Sequence, residues 1–441
     1  MEKIDTEFLI LGAGLSGLFA ANLLSRHKKD FIVLEKESFP GGLARTINYK
    51  GYKFDVGGHR LNFSSSQNLH FTKDILEGRL LRVKKCSKVF TSGKLVNYPP
   101  ELIDCFKFFG KTGFKIFLEL MRNKNNVHVD SLEEWVETNF GQTLYKLYFK
   151  DYTKKVWGIA GNMISKKLAQ RRIGSTNLVK MLKNIFVQTG DSIENQQYFY
   201  YPEKGMGSII DKLVENISGV DRVHFATSIK DIQSNNNGTT SLTFIKNEKL
   251  YKANFKVLIS SIPLIDLLKA LDCKQNGFER KVLYRSLILV NLLVDEVRLS
   301  DEHWRYIPDP DIIFSRMHEP KNWSKCMVPN GDKTSLCLEI FCDYKDKVWD
   351  SDKEILFKKV KSGLRQINPQ NGFKITDFCI ERIRYAYPFY YLGYEIFVDT
   401  IKNNLNMFNN LVLIGRTGTH SYFDIEECFD NVKVAMANLL F

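Results

Sequence analysis

Apolar residues follow three rhythms along this 441-residue chain. Phe8-Leu9-Ile10-Leu11 is a continuous apolar run, as in a strand buried on both faces, and it opens into Gly12-Ala13-Gly14-Leu15-Ser16-Gly17 and a helix. A second apolar strand ends at Glu35, 18 residues past Gly17. After Leu61 the spacing turns helical for a long way, with apolar residues three and four apart in Pro99 to Phe109, Lys115 to Arg122, Ser131 to Phe140 and Thr143 to Tyr152. Glu133 and Glu134 stand in the first turn of the third of these. Strand patterns return at 197–201, 223–225 and 229–232, and the Asn235-Asn236-Asn237-Gly238 turn makes a hairpin with Ser241 to Ile245. Lys256 to Pro263 reads as another buried strand, and sheet-forming runs follow at 287–290, 335–341 and 378–385. No internal repeat or low-complexity linker interrupts the order.

The strand, glycine turn, helix and second strand ending in an acid form a dinucleotide-binding fingerprint. Gly12 permits the tight turn, Gly14 lets backbone amides approach a pyrophosphate, Gly17 lets the helix pack on the strand, and Glu35 is placed for the ribose hydroxyls. A second glycine cluster then follows, Phe39-Pro40-Gly41-Gly42-Leu43-Ala44-Arg45-Thr46, with a hairpin-like stretch from Ile47 to Gly57-Gly58-His59. Glycine pairs also occur as ordinary turns.

Composition narrows the class. The length favours two domains, and 44% apolar with 26% charged residues suits a globular enzyme. The longest apolar runs are too short to span a bilayer, and Glu2, Asp5 and Glu7 oppose a signal peptide, so a cytoplasmic location is expected. The eight cysteines form no CxxC pair, which predicts reduced thiols and no metal site. A net charge of +13 biases the protein toward anions, and eight Lys or Arg lie between Lys146 and Arg172 against the single acid Asp151. Tyr148, Tyr152 and Trp157 share that segment, but no nucleic-acid motif accompanies them, which points to a diphosphate-bearing small molecule rather than nucleic acid.

The glycine clusters resemble those of the FAD-containing amine-oxidase superfamily. Tyr152-Thr153-Lys154-Lys155-Val156-Trp157-Gly158 resembles a segment of UDP-galactopyranose mutases and protoporphyrinogen-oxidase-like flavoproteins, and Gly415-Arg416 through Tyr422 and Asp424 resembles the mutases' C-terminal segment. The resemblance implies an α/β fold, with a Rossmann-like FAD-binding domain assembled from residues 1–68, 198–267 and 404–441. Residues 69–197 and 268–403 would form an inserted mixed α+β substrate domain. It implies FAD held by Gly12, Gly14, Ser16, Gly17, Glu35, Lys36, Gly42, Leu43, Arg45, Gly57, Gly58, His59, Ile229, Gly415, Arg416 and Asp424. A helix starting near Asp424 would aim its N-terminal amides at the flavin pyrimidine.

Two chemistries follow from the resemblance. In the mutase-like one, reduced FAD attacks the anomeric carbon of a nucleotide-activated sugar for surface polysaccharide synthesis, and the nucleotide leaves while the ring recloses in the other size. His59, Trp157, Arg172 and Tyr422 would be catalytic, and Tyr152, Trp157, Arg171, Arg172, Arg384, Tyr387 and His420 would bind substrate, the arginines through bidentate phosphate contacts. In the alternative, FAD accepts a hydride from a small organic substrate, as in amine oxidases, protoporphyrinogen oxidases and desaturases. His420 and Ile425-Glu426 depart from the mutase pattern, and the run around Ala386-Tyr387-Pro388 is closer to the oxidase-like relatives. A homodimer is a further possibility under either chemistry.

Overall fold

A computed structural model describes residues 1–91, 93–98, 110–121, 128–172, 197–217, 221–235, 238–272, 277–368 and 372–440. Its first sheet is built on the strand Glu2–Leu11, which runs parallel to Phe31–Leu34 on one side and to Lys249–Ser260 on the other. The helix Leu15–Arg26 connects the first two strands, completing the βαβ unit that the apolar run and glycine turn predict. Residues 8–11 are buried throughout, as a strand covered on both faces requires. Lys249–Ser260 shares its far edge between two partners, Gly238–Lys246 along its first half and the parallel Leu411–Leu413 along its end. Thr227–Asn235 and Val223–His224 are the outer strands.

The second sheet has the order Ile375–Pro388, Tyr284–Val294, Thr334–Cys342, Arg316–His318, Trp304–Tyr306, Ser87–Thr91 and Lys94–Asn97. The long apolar runs form the three adjacent strands at one side of this sheet, with Tyr284–Val294 between the other two and paired antiparallel to both over most of its length. The region after Leu61 is less helical than its spacing predicts. The helix Ser66–Ile75 is followed by the strands Leu80–Lys84, Ser87–Thr91 and Lys94–Asn97. These are short and alternate with lysines and arginine; Leu80–Lys84 gains its pairing from the distant Tyr198–Pro202 and Ser87–Thr91 from Trp304–Tyr306, while Lys94–Asn97 pairs back on Ser87–Thr91 as a local hairpin. Tertiary pairing of this kind overrides local pattern. The helix expected over Pro99 to Phe109 lies outside the described residues.

Further along, Lys111–Met121 and Leu132–Phe140 are helices, the latter opened by a capping box between Ser131 and Glu134. Helical turns then run from Gln142 to Trp157, with a π-turn over Tyr145–Phe149. Two buried carboxylates tie the layers together. Asp55 accepts hydrogen bonds from Thr46 Oγ1 at 2.6 Å, Tyr201 OH at 2.5 Å and the Met206 amide at 3.0 Å, fixing the β-hairpin to the helix Gly207–Glu215. Glu426, on the last helix Ile425–Leu440, accepts from the Ser64 and Ser65 amides, each at 2.8 Å, at the start of Ser66–Ile75.

His303 and His318 are buried in the second sheet, where burial pushes their pKa down to about 4 and about 3. A base whose folded pKa is depressed contributes stability that is present above its unfolded pKa, about 6.5, and is lost as pH falls toward the folded value. The unfolding free energy from urea titrations is therefore expected to fall continuously from about pH 6.5 to pH 4, by on the order of 3 kcal/mol for each histidine that stays neutral in the fold while it is protonated in the unfolded chain. His318→Gln should flatten that slope, and a variant curve parallel to wild type would reject the assignment.

Candidate functional site

A cavity of about 1640 Å³ opens at the carboxyl ends of the first sheet and runs to the face of the second. At its first end the Gly12–Gly14 turn forms a cradle. A Cβ placed on Gly14 would meet no atom within 4 Å, whereas one on Gly17 would overlap the Gly12 carbonyl oxygen. Gly17 is thus set behind the wall, packing helix onto turn, and Gly57 likewise takes a left-handed turn (φ +80°) off the cavity lining. Glu35 lies alongside, its carboxylate accepting from the Ala13 amide at 2.6 Å and the Glu37 amide at 2.9 Å, while burial raises its pKa. Ser16, Lys36, Gly42, Leu43 and Ile229 share this wall. Arg45 also lines it, but its guanidinium donates to the Gly42 carbonyl at 2.9 Å and pairs with Glu381.

The middle of the cavity is reached by Gly58, His59, Gly415, Arg416 and Asp424. Gly58 is required by contact, because a Cβ there would strike Trp304. His59 Nδ1 lies 3.1 Å from the Gly57 carbonyl, which sets that nitrogen as the donor. Burial and the neighbouring Arg416 hold its pKa near 4, so the ring is neutral at physiological pH. The Arg416 guanidinium lies over Tyr387 and Tyr422, at 4.6 and 4.4 Å from their centroids, and its Nε and Nη2 are buried without a partner. Asp424 and Glu427 cap the last helix reciprocally, each amide donating to the other's carboxylate at 2.9 Å.

At the far end an aromatic chamber encloses the space. Tyr387 stacks on Tyr422 with centroids 5.5 Å apart, and Trp157 lies 6.1 Å from Tyr387 and 6.4 Å from Tyr422. Trp157 ends the helix Lys150–Trp157, which Gly158 closes at φ +77° and which Arg285 caps by donating to the Val156 carbonyl at 2.7 Å. Arg172 Nη1 donates to the Tyr422 hydroxyl. Tyr152 packs edge-on against Tyr306 at 5.6 Å, its own hydroxyl buried and unpartnered.

Arg171, Arg172 and Arg384, which the sequence groups together, all line the cavity but meet different partners. Arg171 is paired with Glu427, and Arg384 lies flat on Tyr344 and Tyr385, at 4.1 and 4.6 Å. Lys155, part of the basic segment, turns away and donates to the Ile307, Asp309 and Phe314 carbonyls at 2.9, 2.7 and 2.7 Å. The sequence reading missed Arg316, which pairs with Glu339 and donates to the Tyr387 hydroxyl at 2.9 Å. Its signal was an acid inside an otherwise apolar strand, Leu336-Cys337-Leu338-Glu339-Ile340-Phe341.

Among the described residues no group of metal-ligating side chains occurs, and no helix is long and apolar enough to cross a membrane. The chain matches the sequence profile of the flavin containing amine oxidoreductases over residues 15–429. It is 25% identical to the UDP-galactopyranose mutase of Mycoplasma genitalium over 174 residues, 37% of this chain and 43% of that protein. Shorter or weaker stretches match fungal phytoene desaturases, plant prolycopene isomerases and a horse amine oxidase, and each of these alignments covers less than half of the relative's length. Among solved structures, reduced UDP-galactopyranose mutase superposes with a TM-score of 0.80 at 22% identity, over 98% of this chain and 94% of that one. A protein from Exiguobacterium sp. 255-15, provisionally named a protoporphyrinogen oxidase, gives 0.76 at 15% identity, over 99% and 98%.

The cofactor is FAD, and the cavity fits it. The open face of Gly14 leaves room for a pyrophosphate against backbone amides, Glu35 beside that turn would hold the ribose, and Arg416 offers two unpaired buried donors. Gly14→Val is expected to purify without the yellow of bound flavin and to melt at the temperature of wild-type apoprotein. Gly17→Ala should instead lower the melting temperature sharply, since its methyl meets a main-chain oxygen. Equal behaviour of the two variants in a thermal scan and visible spectrum would contradict this division of roles.

Proposed function

Since the chain is a member of the flavin-containing amine oxidoreductase family, we propose that it is an FAD-dependent enzyme whose substrate is an anion, specifically a nucleotide diphosphate sugar. The observation that carries this reading is a charge imbalance. Tyr387 touches Arg316 through its hydroxyl and Arg416 through its ring, and Tyr422 does the same for Arg172 and Arg416. Two tyrosines thus draw three guanidiniums around one space, and Glu339 is the sole carboxylate paired with any of them among the described residues. Uncompensated cations in a dry, aromatic chamber favour a polyanion, for which arginine offers bidentate contacts.

Several groups divide the work in this reading. Arg172 and Arg316 hold the diphosphate and take up the negative charge that grows on it as the anomeric C–O bond breaks. Trp157, Tyr387 and Tyr422 wall off water, while Tyr152 and Tyr306 offer a stacking surface to the base. His59, with Nδ1 turned to Gly57, presents an unprotonated Nε2 that can accept a proton from a sugar hydroxyl. Reduced FAD, when bound, supplies an electron-rich ring nitrogen to the anomeric carbon.

The sequence relatives favour a second reading, hydride transfer to oxidised FAD, because two desaturases and an amine oxidase stand among them beside one mutase. The chamber constrains that reading too, since three guanidiniums oppose a protonated amine and desolvate poorly beside a polyene. The test is an anaerobic assay of dithionite-reduced protein on UDP-galactose, UDP-glucose and dTDP-glucose. Ring interconversion with no net consumption of reductant is expected. Inertness toward all three, with bleaching of oxidised flavin by a carboxylate or amine substrate, would transfer the protein to the hydride class. Arg172→Ala should raise KM for the active sugar about 30-fold or more, as for a truncated charge-assisted contact, with the flavin spectrum unchanged; an unaltered KM would remove Arg172 from the phosphate site.

A further inference from the structure

His420 is a buried polar group of the cavity wall that neither the cradle nor the arginine chamber uses. It is 2% exposed, it lines the cavity, and neither Nδ1 nor Nε2 has a hydrogen-bond partner. Leaving a buried donor or acceptor unmade is costly, and the great majority of buried polar atoms are paired. The backbone adds a second cost, since His420 takes the left-handed conformation at φ +49°.

The loop holds that conformation firmly. The His420 amide donates to the Thr417 carbonyl at 3.3 Å, the Ser421 amide to the Arg416 carbonyl at 2.9 Å, and Thr419 Oγ1 to the Gly415 carbonyl at 2.7 Å. The ring is held as well, packed edge-on against Tyr284 with centroids 4.8 Å apart and flanked by Tyr394 at 6.1 Å and Tyr390 at 6.4 Å.

The surrounding hydroxyls do not satisfy the imidazole. Tyr284 OH donates to the Thr417 carbonyl at 2.9 Å and accepts from the Leu264 amide at 3.2 Å, and Tyr390 OH accepts from the Tyr422 amide at 2.9 Å. The charged group facing the ring is Lys402, a cation, which together with burial keeps the imidazole uncharged. A neutral imidazole is one donor and one acceptor on diverging nitrogens. It does not match a phosphate, which Arg172, Arg316 and Arg416 serve, but it does match a neutral group that can both give and accept a hydrogen bond.

We propose that His420 is a positioning residue that hydrogen-bonds a neutral hydroxyl or amide-type group of the molecules filling the cavity. That chemistry is present on FAD, in its ribityl hydroxyls and imide edge, and on a sugar substrate. The inference rests on the FAD assignment and, for its second source, on the nucleotide-sugar reading.

The experiment compares wild type with His420→Phe, which keeps a ring and removes both polar atoms, and His420→Asn, which restores a donor and an acceptor. Apoprotein is titrated with FAD by fluorescence, the visible spectrum and midpoint potential of each holoprotein are recorded, and UDP-galactose is titrated by calorimetry. About tenfold weaker FAD binding or a shifted flavin potential in His420→Phe, recovered in part by His420→Asn, supports contact with FAD. Unchanged FAD properties with about tenfold weaker UDP-galactose binding support contact with the sugar. Wild-type behaviour of His420→Phe in both titrations and in potential overturns the proposal and leaves the imidazole a packed ring. If wild type itself ignores UDP-galactose, the nucleotide-sugar reading has failed separately, and unchanged FAD properties then overturn the His420 proposal as well. Should His420→Phe not fold, imidazole ¹⁵N shifts of wild type decide: movement on adding FAD or UDP-galactose supports the contact, and none overturns it.

Discussion

The buried ion pair between Arg316 and Glu339 is the contact on which the rest of the site depends. Both side chains are almost wholly withdrawn from water, at 4% and 0% exposure, inside the second sheet. Such a pair adds little net stability, because desolvation offsets most of the attraction, but losing either partner costs about 3–5 kcal/mol. Its structural value is placement. Arg316 fixes the Tyr387 hydroxyl, Tyr387 stacks on Tyr422, and Tyr422 receives Arg172, so one pair in the second sheet sets the position of groups on three other segments. Arg416, on the loop from the first sheet, then has two oriented ring faces to lie against.

This arrangement requires the two sheets to stay in register with each other, and polar clasps rather than apolar packing alone provide that. Glu426 gathers the start of the helix Ser66–Ile75 onto the last helix, and Asp55 holds the hairpin that carries Gly57, Gly58 and His59. Burial raises the Asp55 carboxyl to about 6, yet three donors converge on it, so the clasp keeps its geometry by hydrogen bonding despite desolvation. Arg285 works the same way on the chamber side. It is buried, pairs with Asp343 and caps the helix that presents Trp157.

What the sequence revealed follows from the range of the interactions involved. The Gly12–Gly17 turn, Glu35 and the strand runs were legible because their constraints are local: a turn that excludes side chains, a strand buried on both faces. The capping box at Ser131 was legible in part, through Glu133 and Glu134, for the same reason. The strands Leu80–Lys84 and Ser87–Thr91 were not, since the chain that draws each into a sheet lies more than a hundred residues away, and Lys94–Asn97 joins only by folding back on Ser87–Thr91. Arg316 was hidden too, because nothing in its own neighbourhood marks it; the strand carrying Glu339 did so from a distance. The basic segment misled in the opposite direction, for Lys155 and Arg171 contribute to the count of charge but spend it on carbonyls and on Glu427.

The distribution of acid partners separates structural arginines from those available to a ligand. Arg45, Arg171, Arg285 and Arg305 pair with Glu381, Glu427, Asp343 and Glu302, while Arg316 belongs to both groups, pairing with Glu339 yet keeping a buried, unpartnered Nε in the cavity wall. Arg60, Arg172 and Arg416 have no carboxylate among the described residues; all three line the cavity, and all three lie against aromatic rings. A ring face returns about 0.5–2 kcal/mol to a cation, less than a desolvated guanidinium gives up, so these positions lower the stability of the empty protein. A fold selected for stability alone would replace them with apolar residues of similar volume. Their persistence in the wall makes sense if a negatively charged occupant completes the electrostatics, and binding it would stabilise the fold in proportion to its affinity.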